Sequence, residues 1–163
     1  MKTVWLLDVD GVINVDRPGW GGPPCNRDIE ALGRTWRVRW APRLMSRIRA
    51  LAEAGQVDLR WCTTWCPDAA KLELMWRLPP LRRALASPIN HRTKEADKLA
   101  AAVDVLAAGH RLIWTDDDAI PSPGTPLYRS LVENDRALLI EPDHRRGLQP
   151  DDMERVEAFI LEA

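Results

Sequence analysis

Residues 3–12 read Thr-Val-Trp-Leu-Leu-Asp-Val-Asp-Gly-Val, a short apolar run that breaks into two acids and a glycine. An apolar run without alternation belongs to a strand covered on both faces, the usual condition of a parallel sheet. Beyond its end, Asp8 and Asp10 are separated by a single residue, so in an extended chain both carboxylates point the same way. Two such anions repel, and a divalent cation or a proton held by one of them relieves the repulsion. Gly11 then allows a sharp turn away.

Outward from this stretch the chain alternates strand and helix. Residues 42–54 carry Leu44, Met45, Ile48, Leu51 and Ala52 at helical spacing, with Gly55 as the stop. Residues 57–62 read as a second strand and 68–76 as a helix ended by Leu78-Pro79-Pro80. A weak third strand falls around 84–89. Residues 93–108 form the clearest helix, with Thr93 as its cap, a stripe of Ala96, Leu99, Ala100, Val103 and Leu106, and Gly109 at its close. Strands follow at 111–115 and 137–140, and an amphipathic helix at 150–161 opens with Asp151 and Asp152 in its first turn. Strands separated by helices predict a parallel sheet in a three-layer, Rossmann-like α/β domain over residues 1–163. In such sheets ligands sit at the carboxyl ends of the strands.

At 163 residues and 45% hydrophobic, the chain can bury a core without disulfide staples. Three cysteines make no disulfide framework and point to a reducing cytoplasm. No apolar run is long enough for a membrane span. Eight Trp stand against one Phe and one Tyr. The net charge is −1, yet residues 17–49 carry eight Arg against Asp28 and Glu30, while residues 116–163 are net −7. Such a basic segment either suits an anionic ligand or is a solvated face.

The expected strand ends collect chemistry. Asp8 and Asp10 end the first strand, Thr63 and Thr64 the second, and Asp116-Asp117-Asp118 the strand at 111–115. Hard carboxylate oxygens suit Mg²⁺. The helix from about residue 93 must start at the same edge, which brings a lysine there. Lys94 is favoured by its position at the helix start; Lys98, one turn on and roughly 6 Å along the axis, is the alternative.

This order of acid pair, hydroxyl, lysine and acid pair resembles the haloacid dehalogenase (HAD) superfamily of aspartate-nucleophile phosphatases. DVDGV is similar to its first motif, Thr63 in LRWCTTW to its second, a lysine to its third and WTDDD to its fourth. The wording around Trp61–Trp65 and Trp114–Asp118, with the tail GLQPDDMERVEAFI, also resembles small HAD domains associated with RNA-repair proteins. The resemblance implies that Asp8 attacks phosphorus and carries an aspartyl-phosphate, and that Asp10 protonates the leaving oxygen and then activates water. It further implies Mg²⁺ between Asp8, the Asp10 carbonyl, Asp116 and Asp117, with Thr63 and the lysine on the phosphoryl oxygens. Asp118 reads as a cap or surface acid.

Residues 34–40 alternate, with Trp36, Val38 and Trp40 on one face and Arg37 and Arg39 on the other. This alternation predicts a strand, and the resemblance implies that it is one arm of a β-hairpin flap, part of an insertion over about 12–41. Its aromatic face either stacks a base or docks on the body. Trp5, Trp61, Trp114 and Trp76 are expected in the core, and Trp20, Trp36, Trp40 and Trp65 around the site entrance. Thr64, Trp65, Asn14, Arg37 and Arg39 are the candidate substrate contacts, Trp65 being the foremost stacking residue. Cys62 and Cys66 have no second pair and His91, His110 and His144 are scattered, so no zinc spacing is present.

The segments between motifs leave room for a flap and no cap domain, and an open site admits bulky substrates. The expected activity is that of an Mg²⁺-dependent phosphomonoesterase acting on a nucleotide or polynucleotide end. The alternatives are a non-catalytic nucleic-acid-binding platform, or a metabolite phosphatase lidded by another subunit.

Overall fold

Every residue of the first strand, β1 (Thr3–Leu7), is buried, as an apolar run with no polar face requires. The computed structural model describes residues 1–86, 88–133 and 135–162. In it β1 is the centre of a five-stranded parallel sheet. On one side β1 pairs with β4 (Asp58–Trp61), which pairs with the two-residue β5 (Arg82–Arg83). On the other side it pairs with β6 (Arg111–Thr115), which pairs with β7 (Ala137–Ile140). The architecture is α/β and compatible with a Rossmann-like fold.

Among the described residues five α-helices link and cover these strands: α1 (Pro42–Ala54), α2 (Ala69–Trp76), α3 (Lys94–Ala107), α4 (Pro126–Val132) and α5 (Pro150–Leu161). With this strand order, the right-handed rule for parallel crossovers puts α1 and α2 on one face and α3 and α4 on the other. Arg49 Nε donates to the Trp76 carbonyl, joining α1 to α2, and Arg47 forms a bidentate pair with Glu157, joining α1 to α5. α1 starts on Pro42, whose missing N–H costs nothing in a first turn, and stops at Gly55 with φ +65°. Thr93 precedes α3 as expected, but its hydroxyl donates to Asp97 and caps no backbone N–H. α5 has the firmer start, the Asp152 carboxylate accepting from Gln149 N at 2.9 Å.

Four tryptophans fill the core as expected: Trp5, Trp61, Trp76 and Trp114 are at most 2% exposed. Two of their indoles find buried acceptors, Trp5 on the Thr115 hydroxyl at 3.0 Å and Trp61 on the Glu73 carboxylate at 2.9 Å. Glu73 also accepts from Leu81 N and from the Arg83 guanidinium, which satisfies its burial. Truncating a core Trp to Ala would cost about 3–5 kcal/mol.

The insertion after β1 is the second, two-stranded antiparallel sheet, β2 (Cys25–Ala31) with β3 (Arg34–Trp40). Alternation in β3 is as read: Val38 is buried, Trp36 and Trp40 are half-buried, and Arg37 and Arg39 are exposed. Its indoles dock on the body, Trp36 against Trp65 with ring centroids 5.4 Å apart and Trp40 edge-on to Trp76 at 6.0 Å. At the tip Leu32 is held in the left-handed region, φ +53°, and its N–H donates to Asp68 at 2.7 Å. Lys71 reaches the Glu30 carbonyl alongside.

The expectation of a third strand at 84–89 is displaced: the pairing is at Arg82–Arg83, while Ser87 lies outside the described residues. Among the described residues no helix is long and apolar enough to cross a membrane.

Candidate active site

Register assembles the site. Leu7 pairs with both Trp61 and Thr115, so the next residues of the three strands, Asp8, Cys62 and Asp116, emerge at one level. The ladder continues one step past the strands, with Asp8 N donating to the Thr115 carbonyl at 3.1 Å and Cys62 N to the Leu7 carbonyl at 2.9 Å. Asp116 N donates to Ile140 on the far side. Asp8 and Asp116 are therefore backbone-locked, and with Thr63, the residue after Cys62, they are buried at the carboxyl edge of the sheet.

A lysine closes the group, and it is Lys98. Its Nζ lies 2.5 Å from Asp8 Oδ2 and 2.8 Å from Asp116 Oδ2, with only 2% of the side chain exposed. Lys94, favoured from sequence, pairs instead with Asp118 at 2.7 Å and lines the mouth of the same cavity. The physical reason is helix placement: the first turn of α3 stands above the strand ends, and one turn down is level with Asp8.

Two buried carboxylates thus share one ammonium. Burial pushes the Asp8 carboxyl up, opposed by Lys98 and by the Thr63 hydroxyl beside it. Burial and then the Asp8 charge raise Asp116 to about 7, and burial with Asp118 and Asp116 raises Asp117 to about 6. Burial alone would lower Lys98, but Asp8 and Asp116 reverse this and keep it cationic. With both carboxylates ionised one negative charge stays uncompensated in low dielectric, a demand that a bound proton or a further cation meets.

The donor set answers that demand. Asp8, Asp116, Asp117 and Asp118 each offer an oxygen, all within 4.8 Å of one another. Asp116 Oδ2 is buried with the Lys98 ammonium 2.8 Å away as its charge partner, which leaves a second lone pair without a donor. An all-oxygen cluster with a free buried lone pair fits a hard divalent ion such as Mg²⁺. Gly11 permits it: φ is +73°, and a Cβ there would stand 2.1 Å from Asp117 Cγ. Asp118 is exposed, as read from sequence, and its carboxylate also belongs to this cluster. The Asp10 carboxylate does not.

Asp10 is held apart from the cluster by two donors. Asn14 Nδ2 reaches its Oδ1 at 2.7 Å, and Trp65 Nε1 reaches its Oδ2 at 2.8 Å. Asn14 is in turn gripped by the hairpin, its Oδ1 accepting from Arg39 N at 2.8 Å. Trp65 is fully buried, so it cannot stack an incoming base, contrary to the sequence expectation. The short 3₁₀ turn that follows it (Cys66–Asp68) folds the indole inward beneath Trp36. Trp20 is likewise buried, donating to the Leu148 carbonyl at 2.8 Å. The aromatic entrance expected from sequence is reduced to the half-buried Trp36 and Trp40.

The cavity over Asp8 measures about 220 Å³ and is lined by Asp10, Thr64, Lys94, Lys98, Asp117 and His144, among others. Thr64, half-buried, is thus placed at the site, while Arg37 and Arg39 line a neighbouring cavity. Cys62 and Cys66 are buried free thiols, raised by desolvation, and outside the carboxylate cluster. Sequence reasoning overlooked His144; its signal was a loop leaving β7 at the same sheet edge. Comparison of the chain with protein-family models, curated proteins and solved structures gives no match. The HAD resemblance therefore rests on the chain's own residues and their placement.

Proposed function

We propose that the protein is an Mg²⁺-dependent phosphomonoesterase of HAD type with Asp8 as nucleophile, acting on a nucleotide or polynucleotide end. The observation that carries this reading is the Asp8 carboxylate, fixed by Lys98 Nζ at 2.5 Å beside Asp116 at the carboxyl edge of the sheet.

Asp8 attacks phosphorus in line and takes the phosphoryl group, releasing the alcohol; water then cleaves the acyl phosphate and restores the carboxylate. Lys98 neutralises charge shared by the nucleophile and the phosphoryl oxygens, and Thr63 donates to those oxygens. Asp10, oriented by Asn14 and Trp65, gives its proton to the leaving oxygen and then takes one from the attacking water. Asp8, the Asp10 carbonyl, Asp116 and Asp117 would hold Mg²⁺, which would supply the positive charge that lets an anionic nucleophile meet an anionic substrate. Lys94 and Asp118 form a polar rim rather than the floor.

Incubation with Mg²⁺ and an aryl phosphate is expected to release phosphate. Asp8→Asn should lower kcat by about 10³-fold or more, and a chelator should stop turnover. Turnover indifferent to both overturns the reading.

A further inference from the structure

Beside the cavity over Asp8 lies a second, of about 370 Å³, lined by Asn14, Val15, Asp16, Arg37, Arg39 and His144. The two share His144 as a common wall, and Asn14, which lines the second, holds Asp10 in the first. Its chemistry is that of an anion site. Two guanidiniums face one acidic residue, Asp16, and it is the Asp16 backbone carbonyl that Arg39 engages, at 2.8 Å. Arg39 is pre-positioned by that contact and by Asn26 Oδ1 on Nε, also at 2.8 Å. Arg37 is held only loosely, its Nε 3.9 Å from Asp28 with 72% of the side chain exposed, and is available to a ligand. A cavity of this size holds a phosphate together with its sugar.

Resting on the phosphatase reading above, we infer that this cavity receives a second phosphate of the substrate, adjacent to the one removed over Asp8. The substrate class is then a molecule with two neighbouring phosphates on a nucleoside framework: a terminally phosphorylated polynucleotide or a nucleoside bisphosphate. Arginine suits the role because its planar fork donates two parallel hydrogen bonds to a phosphate and stays charged at every working pH. Placing these groups on the outer face of β3 leaves the cavity open toward solvent, where a continuing polynucleotide can leave.

The test compares kcat/KM for an aryl phosphate, a nucleoside monophosphate, a nucleoside 3′,5′-bisphosphate and dinucleotides phosphorylated at either end. Wild-type protein is set against Arg37→Gln and Arg39→Gln. The wild type is expected to prefer two-phosphate substrates by about tenfold or more, the worth of one charge-assisted hydrogen bond. Each variant should lose about tenfold of that preference, mainly through KM, and the preference should shrink with added salt. Arg37→Gln alters an exposed side chain, so its fold is secure. A larger loss on the dinucleotide than on the bisphosphate identifies the polynucleotide as the source of the second phosphate, and the reverse identifies the small molecule. Asp8-dependent hydrolysis with no preference for two phosphates, or variants that slow all substrates alike, overturns this inference alone. Absence of hydrolysis of every substrate overturns the phosphatase reading and this inference with it.

Discussion

The strand ends and the hairpin solve opposite problems with opposite means. At the ends of β1, β4 and β6, charged groups sit in a dry interior: Asp8, Asp116 and Lys98 are at most 6% exposed. The two acids are fixed by backbone bonds that extend the sheet, Asp8 N to Thr115 and Asp116 N to Ile140, and Lys98 is held between them by its ion pairs. On β3 the charged groups face water, and the backbone beneath them is a two-stranded ribbon tethered at its root by Asn14 and at its tip by Asp68. Burial makes charge at the strand ends strong and costly. Exposure makes charge on the hairpin weak singly and tolerant of change. On the proposed phosphatase reading, reaction chemistry belongs to the first region and substrate selection to the second.

Removing the buried ammonium breaks this contrast most sharply. Lys98→Met leaves two buried carboxylates without a counter-charge and should lower kcat by about 10²- to 10³-fold. Lys94→Ala, which removes only a rim pair with Asp118, should cost less than about tenfold on the same substrate. Steady-state kinetics on both variants decide the matter; equal losses would erase the distinction between floor and rim.

A smaller effect should come from Trp65→Phe, which keeps an aromatic ring at this buried position and deletes the N–H that orients Asp10. Proton donation matters most for a poor leaving group, so an alkyl phosphate should slow by about tenfold and an activated aryl phosphate by about twofold. A merely structural role for Trp65 would slow both alike.

Stability gives the smallest signal. Asp116 is raised to about 7 and Asp117 to about 6 by burial and by neighbouring carboxylates. In the range from the ordinary carboxylate value of 3.8 up to about 7 the folded protein therefore binds more protons than the unfolded chain. Metal-free stability should fall as pH rises through that window. Mg²⁺ relieves the same charge, so the Tm gain on adding it should be larger at pH 8 than at pH 5. At a hundredfold excess over Kd the gain is about 2.7 kcal/mol, or roughly 5–10 °C, measurable by thermal scanning.

The two regions also differ in how far sequence revealed them. The elements α1, β3, β6, β7 and α5 have the bounds that periodicity and caps predict, because each carries a clear apolar pattern between Pro, Gly or polar stops. β2 was foreseen only as an unspecified hairpin arm: five of its seven residues are exposed, so it has no burial pattern to read. α4 went unread because it is a single short stretch, although Thr125 capping Tyr128 N and Pro126 at the first position mark its start. The convergence of Asp8, Thr63, Asp116 and a lysine followed from topology. Choosing Lys98 over Lys94 did not, since it depends on how far α3 stands above the sheet edge. The inward turn of Trp65 was equally hidden, because an indole following a strand reads the same whether it stacks a ligand or binds Asp10.

The central claim is that the Asp8 carboxylate takes the phosphoryl group. The most direct measurement is acid-quench mass spectrometry of the protein during turnover of a phosphomonoester, with peptide mapping. A phosphoryl adduct on the peptide containing Asp8, labile to alkali and absent from Asp8→Asn, is the predicted result. An adduct on another residue, or phosphate release at the wild-type rate by Asp8→Asn, would contradict the account.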